Sequence, residues 1–381
     1  MKRIFVYTLC ISVIFATTLA IYASPAIGVG IGSGSTEPYA KVGMSGGQFL
    51  KIGHGARGNG MAGAVSAISN DLSSVFWNPA GIADLPALSA GFDYTQWFAG
   101  LNHNFGAVGL PLMDGYGVAL HFTSLSTPEM ERTTIERPSG TNQYFTASDV
   151  SVGLTFAGYL TDQFSFGITA RYLNNTLAYA EASGFSFDVG TKYRTGIQGI
   201  VLGVSLHGLT TELTYSGNEF NQTMRLVQGG WQSPIDVKMV PSPFNIPLLF
   251  RANVAVDIIG ETINRTSSNH PRVDGSSTQP HPAGIAGKPP VQEHQLVGVL
   301  DFTTTSDSPE QFALGAEYIW NELLAVRAGY RIGNDIQGFS WGVGINYFSG
   351  SFSGRIDYSM SPLAYNLGLA NRISITLDLG N

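Results

Sequence analysis

The chain has 381 residues, of which only 12% are charged and 11% aromatic, with 47 glycines and a formal net charge of −7. Soluble domains carry about 25% charged residues, so this composition does not cover a surface that faces water throughout, and the negative balance argues against a nucleic-acid partner. The length exceeds that of most single domains, although large β-barrels reach it as one unit.

In chain order, MKRIFVYTLCISVIFATTLAIYAS opens with Lys2 and Arg3, continues as an apolar run and ends in small residues around Ala23–Ser24. This predicts a secretory signal peptide over 1–24; a single membrane anchor is the alternative, since the run is about long enough to span. Cys10, the single cysteine, lies inside it, which leaves no disulfide or thiol chemistry after cleavage. Beyond this segment no apolar run reaches the ~20 residues a membrane helix requires. An exported, charge-poor chain without such helices is expected in the bacterial outer membrane, with outer-membrane lipid as its first partner.

Residues 25–87 form an N-terminal extension that is not strand-like. GARGNGMAGAVSAISND is rich in Ala and Gly, which permits close approach to a wall. DLSSVFWNPAGIADLP joins an exposed-looking Trp77 to a helix-breaking Asn78–Pro79. Asp71 is expected to end one turn or cap the next, and the Asn-Pro break to turn Trp77 sideways. A short apolar element of this kind, placed before a wide barrel, is expected to fold into the lumen as a hatch. Its candidate residues are Arg57, Asp71, Trp77, Asn78 and Pro79.

From Leu88 onward the pattern has period two. In QFSFGITARYLNN, Phe164, Phe166, Ile168, Ala170 and Tyr172 share one face, while Ser165, Gly167, Thr169 and Arg171 share the other. DVSVGLTFAGYL, GFSFDVGTKYRT and GFSWGVGINYF repeat it. Apolar residues on one side and Ser, Thr, Gly, Arg and Asp on the other are the signature of strands with lipid outside and a polar lumen inside. The expected fold is an all-β transmembrane barrel over 88–381 of about fourteen antiparallel strands. These fall near 88–98, 103–112, 116–125, 148–160, 163–178, 184–195, 199–210, 247–260, 294–304, 311–320, 323–333, 338–348, 351–360 and 371–379, with the hatch in the lumen.

Joins after even strands are mostly tight and read as periplasmic turns. The long joins 126–147 and 211–246 follow odd strands and read as outer loops. The insertion 260–293, rich in Pro, Ser, Gly and Asn, falls on the periplasmic side and reads as disordered. The expected lumen charges are Arg171, Arg251, Glu317, Arg327 and Arg355. If Asn321–Leu323 is a turn, Glu317 faces Arg327, either as part of a gate or as a pair that satisfies two enclosed charges. The loop 211–246 carries Tyr215, Phe220, Met224, Trp231 and Phe244, which form either a small-molecule groove or an exposed dock for cargo.

Two motifs resemble catalytic signatures. GHGARG (53–58) matches a dinucleotide fingerprint but lacks the preceding strand and βαβ unit, so close packing is the simpler reason for its glycines. GFSWG (338–342) matches a nucleophile elbow, yet Ser340 sits inside an alternating strand. The histidines (54, 103, 121, 207, 270, 281, 294) show no metal-ligand spacing and read as surface, lumen or loop residues. No enzyme, cofactor or metal is expected.

The stretch FLKIGHGARGNGMAGAVSAISNDLSSVFWNPAGIADL resembles the N-terminal hatch of FadL-like outer-membrane proteins, in particular their PorV/PorQ branch. FNIPLLFRANVAVDI, LGAEYIWNELLAVRAGYRIGNDIQGFSWGVGINY and RIDYSMSPLAYNLGLANRISITLDL are similar to that branch in order and spacing. The resemblance covers about 40–125, 245–260 and 294–379, with Trp77–Gly81 and Tyr318–Gly344 its most specific parts. It implies a fourteen-stranded barrel with an N-terminal plug and a sideways opening. The leading function it implies is a type IX secretion-associated barrel that accepts secreted proteins bearing C-terminal sorting domains; the alternative is a FadL-type passive channel for long-chain fatty acids or other hydrophobic small molecules. A structural barrel without cargo is the third reading.

Overall fold

The computed structural model describes residues 45–112, 115–197, 199–228, 231–260, 293–349 and 352–379, without the side chains of residues 219, 222, 224–228, 231–234 and 349. The expected signal peptide, residues 25–44 of the extension and the 260–293 insertion, except for its end residues 260 and 293, lie outside the described residues.

Seven strands make the first half of the wall: β1 (Leu88–Gln96), β2 (Asn102–Pro111), β3 (Tyr116–Ser126), β4 (Ala147–Thr161), β5 (Phe164–Leu177), β6 (Ala180–Arg194) and β7 (Val201–Thr210). Seven more complete it: β8 (Leu249–Ile259), β9 (His294–Thr305), β10 (Ser308–Trp320), β11 (Leu324–Ile332), β12 (Phe339–Ser349), β13 (Phe352–Leu363) and β14 (Gly368–Leu379). Each strand pairs antiparallel with its sequence neighbours, and β1 pairs with β14 from Leu88↔Leu379 to Gln96↔Asn371, so the sheet closes on itself. Closure matters because an open edge would leave unpaired backbone N–H and C=O groups in lipid, where each costs several kcal/mol.

The fourteen expected strands are all present. Their ends differ most at β6, which begins at Ala180, and at β10, β13 and β14, which extend about three residues further toward the loop end. There the ladder outruns the lipid-facing alternation by which the strands are recognised. The Asn321–Leu323 turn forms as expected, with Leu323 N–H donating to Trp320 O and Asn321 and Glu322 at positive φ. The two long joins are not wholly irregular. Met130–Glu131 pairs with Tyr144–Phe145 in one, and Asn221–Gln228 with Trp231–Lys238 in the other.

Alternation sets the two faces. On β5, Ser165, Gly167, Thr169, Arg171 and Asn175 point inward and are buried, while Ile168 and Tyr172 point outward and are exposed. The outward face is apolar around the circumference, through Leu120, Leu154, Ile168, Val204, Leu300, Leu314, Val326, Ile345, Ile356 and Ile375. No helix among the described residues is long and apolar enough to cross a membrane. The wall crosses it with strands of 9 to 15 residues, against the 9–11 that a tilted spanning strand requires.

Residues 45–87 fill the lumen. A 3₁₀ turn at Gln48–Lys51, helix α1 (Ala56–Gly60), helix α2 (Ser74–Trp77) and a second 3₁₀ segment at Pro79–Asp84 follow one another before β1. Almost all of this segment is buried. It starts at the long-loop end, where Gly46 N–H donates to Asn245 O, and reaches the tight-turn end near Asp84.

Leu314 lies midway along β10 on the apolar face. Leu314→Arg is expected to cost about 2–4 kcal/mol, as arginine does at the bilayer midplane of a barrel. Equilibrium denaturant unfolding of the lipid-inserted protein measures this.

Candidate functional site: the lumen hatch and the mouth above it

The wall is shaped to receive the hatch. Glycine weakens a strand unless a backbone must come close, and here inward glycines lie opposite one another at two cross-strand pairs, Gly167↔Gly190 and Gly315↔Gly329. A Cβ at Gly167 would stand 2.3 Å from Pro79 C, and one at Gly190 would stand 2.2 Å from Asn78 Oδ1. A Cβ at Gly329 would stand 2.2 Å from Met61 C. The hatch backbone therefore rests directly on the sheet. Within the hatch, Gly53 and Gly58 let the Trp77 indole lie flush against their backbone, which is the close packing expected for the GHGARG glycines.

Each expected hatch residue has a definite place. Arg57 on α1 presents Nε and Nη2 to the two oxygens of Glu317 at 3.0 and 2.8 Å, and Nη1 donates to Asn70 Oδ1 at 2.7 Å. Asp71 Oδ1 accepts from Ser73 N at 2.9 Å and so opens the turn into α2, while its Oδ2 meets Arg355 Nη2 at 2.5 Å. Asn78, extended at φ −160°, caps the following 3₁₀ segment by accepting from Ala80 N, and its Nδ2 donates to Thr191 O. Pro79 occupies the first position of that segment, where its missing N–H leaves nothing unpaired.

Trp77, exposed-looking in its short apolar stretch, packs inside the lumen with the rest of the hatch. It is 2% exposed, its Nε1 donates to His54 O at 2.9 Å, and its ring meets Phe76 edge-on with centroids 4.7 Å apart. Inside a barrel an apolar residue on a short broken helix faces the lumen packing, which local sequence does not reveal.

The five expected lumen charges all point inward. Glu317 and Arg327 face each other in register and meet at 2.6 Å. Arg327 also donates to Asp357 Oδ1 at 2.6 Å, and Arg355 Nε lies 2.8 Å from Asp357 Oδ2. With Arg57 and Asp71 these form one buried network joining hatch to wall, so the Glu317–Arg327 pair does more than neutralise two charges. Arg171 donates to Val75 O at 2.7 Å and pairs with Asp188 at 2.5 Å. Arg251 donates to Phe76 O at 2.9 Å and lies over the rings of Phe76 and Trp77.

Further anchors were not foreseen. Asp84 accepts from Lys192 at 2.7 Å and from Arg194 Nη2 at 2.6 Å, with the Tyr159 hydroxyl also bonded to it. Arg331 donates twice to Ala62 O, and Lys51 pairs with Asp307 at 3.0 Å in the β9–β10 turn. The alternation of β6 does place Lys192 and Arg194 on the inward face, and Asp84 is the acid in NPAGIADLP, but nothing in the sequence joins them.

At the long-loop end, Tyr215 and Phe244 stack with centroids 5.2 Å apart against Phe49, Leu173, Leu213 and Ile246. Reciprocal backbone bonds between Leu213 and Phe244 pin the base of the loop over the mouth. Phe220 is half-buried at the start of the hairpin; Met224 and Trp231 lie on its two strands, their side chains outside the described residues. Beneath this apolar cluster lies a cavity of about 30 Å³. Its apolar lining includes Leu50, Phe76 and Ile246, and its polar lining Asp188, His207 and Arg251. That volume holds about two waters. Four histidines (54, 103, 121 and 207) are buried inside the barrel and His294 is exposed; positions 270 and 281 lie outside the described residues. Ser340 is buried, bonded to Ser361 and embedded in β12 without a nucleophile's turn.

No family model and no curated protein sequence matches the chain. Solved structures do. The toluene transporter TodX of Pseudomonas putida superimposes with a TM-score of 0.53 at 13% identity, over 85% of this chain and 97% of that one. The two chains share a fold. The CymD monoaromatic hydrocarbon channel gives a TM-score of 0.51 at 12% identity, over 87% and 98% of the two chains. At such identity the likeness concerns the fold alone.

Two outcomes test this site. Gly329→Val places a branched side chain where Met61 and Ala62 lie; overpacking of about 1–3 kcal/mol is expected, seen as faster protease cleavage within 45–87 while the barrel stays folded. At the mouth, burial pushes the Asp307 carboxyl up, but hydrogen bonds from Gln48 and Lys51 more than offset this and hold it below the usual range. A depressed carboxylate adds stability above its unfolded pKa of about 3.9 and loses it as pH falls further. Exchange of the amides of 48–52 is therefore expected to accelerate below about pH 4, and Asp307→Asn should remove that step.

Proposed function

We propose that this chain is an outer-membrane channel that admits small hydrophobic molecules at its long-loop end, with the hatch as the barrier they must pass. The observation that carries this reading is the apolar mouth. Tyr215 and Phe244 turn inward onto Phe49 and Ile246, directly above a cavity lined by hatch and wall. A groove for a small apolar ligand needs residues that converge in this way, whereas a dock for a protein needs a broad outward patch. The shared fold with TodX and CymD, described as a toluene transporter and a monoaromatic hydrocarbon channel, adds support. The type IX secretion reading draws on the sequence resemblance to the PorV/PorQ branch alone.

Passage requires movement. A cavity of about 150 Å³ binds benzene, several times the space beneath the mouth. Leu50 and Phe76 are the hatch side chains that must give way. Both belong to short, separate turns rather than to long helices, so they can shift without unfolding an extended element.

Uptake of labelled toluene by cells lacking other hydrocarbon channels tests the proposal. Expression of this protein should raise the rate severalfold, Tyr215→Ala/Phe244→Ala should lower it, and deletion of 45–86 should admit unrelated dyes as well. Equal uptake with and without the protein overturns the channel reading. Loss of surface-displayed cargo on truncating the 211–246 loop, with toluene uptake unchanged, would restore the secretion reading.

A further inference from the structure

Arg372 on β14 stands apart from the other buried cations. It is 1% exposed, and among the described residues no carboxylate lies within ion-pair distance of it. Its Nη1 makes one long bond of 3.3 Å to Ser361 Oγ, while Nε and Nη2 have no acceptor. The charged neighbour whose field reaches it is Arg331, another cation. Asp93, two positions along β1, stands opposite Ser374 and is buried, with its Oδ2 unpartnered and no ion pair to Arg372.

Directly opposite Arg372 the wall supplies hydroxyls and no carboxylate. Ser359 and Thr95 face Arg372 from the two adjacent strands, and both are buried. Ser359 Oγ and His103 Nε2 are buried without a partner. The Trp97 indole lies over the guanidinium, 5.2 Å from it, on the short join at the long-loop end. An enclosed guanidinium with no counter-charge is costly, and the unfilled edge has a definite shape. Nε and Nη2 form the fork that takes a carboxylate side-on through two parallel bonds. Arg57 uses this same pair of nitrogens to hold both oxygens of Glu317.

We propose that Arg372, with Ser359 and His103 beside it and Trp97 as its cover, is a binding site for a small organic carboxylate in the upper lumen against the β1–β14 seam. The site is separate from the apolar mouth, and it is read by binding alone, so it stands or falls independently of the transport reading.

The test uses the full-length protein purified in detergent, with benzoate and acetate titrated at constant ionic strength against chloride. Saturable one-to-one binding is expected by calorimetry, together with a raised melting temperature and a change in tryptophan fluorescence. Arg372→Gln should weaken binding at least about tenfold and abolish the melting shift. Trp97→Phe should retain binding while losing the fluorescence change. Ser359→Asp places a carboxylate opposite the fork, and should raise the melting temperature and exclude added benzoate even if Arg372→Gln fails to fold. Absence of saturable binding to the folded wild-type protein overturns the proposal. So does unchanged affinity in Arg372→Gln or Ser359→Asp, or binding of inorganic phosphate with no binding of either carboxylate.

Discussion

Polar groups facing the interior of a closed barrel are cut off from lipid and, once the lumen is filled, from bulk water as well. Each must then find a partner inside or pay the full cost of desolvation. In this protein the partner is the hatch. Arg171, Arg251 and Arg331 reach from the wall to main-chain carbonyls of Val75, Phe76 and Ala62, while Glu317, Arg355, Lys192 and Arg194 take the hatch charges Arg57, Asp71 and Asp84. The need runs both ways. A segment made of one-turn helices leaves many carbonyls without intrahelical donors, and an irregular backbone at membrane depth is tolerated only where protein satisfies it.

This reciprocity explains the glycine content of the wall. A side chain between hatch and sheet would hold the hatch away from the arginines that bind its carbonyls. The pairs Gly167↔Gly190 and Gly315↔Gly329 remove that spacer at two places where the hatch backbone touches down, Pro79–Ala80 and Met61–Ala62. Between these seats the Arg57–Glu317–Arg327–Asp357–Arg355–Asp71 network ties three wall strands to α1 and to the turn before α2.

Above the polar packing the character changes. The mouth is apolar, and it is built jointly by wall strands β3, β5 and β6, the 211–248 join and the first turn of the hatch. The cavity beneath it is lined by Leu50 and Phe76 of the hatch and by polar groups that include Asp188, His207 and Arg251, whose guanidinium is engaged with the hatch carbonyls. On the proposed channel reading, the hatch is both the barrier and the element whose displacement would open a passage. Its anchors at the mouth, Gln48 and Lys51 on Asp307, are fewer and more exposed than those at the far end around Asp84.

The strands, their number, their inward and outward faces and the Glu317↔Arg327 pairing were all legible in the sequence, because a period of two and a tight turn fix which residues stand opposite in neighbouring strands. The same pattern assigned Arg171, Arg251 and Arg355 to the lumen. Only the tertiary structure decided what those charges meet: Asp84 lies 108 and 110 residues from Lys192 and Arg194, and no local periodicity reports a contact across a lumen. What Trp77 packs against was hidden for the same reason. A four-residue helix has no amphipathic face to read, so whether its ring meets water or the GHGARG backbone depends on what the closed wall encloses.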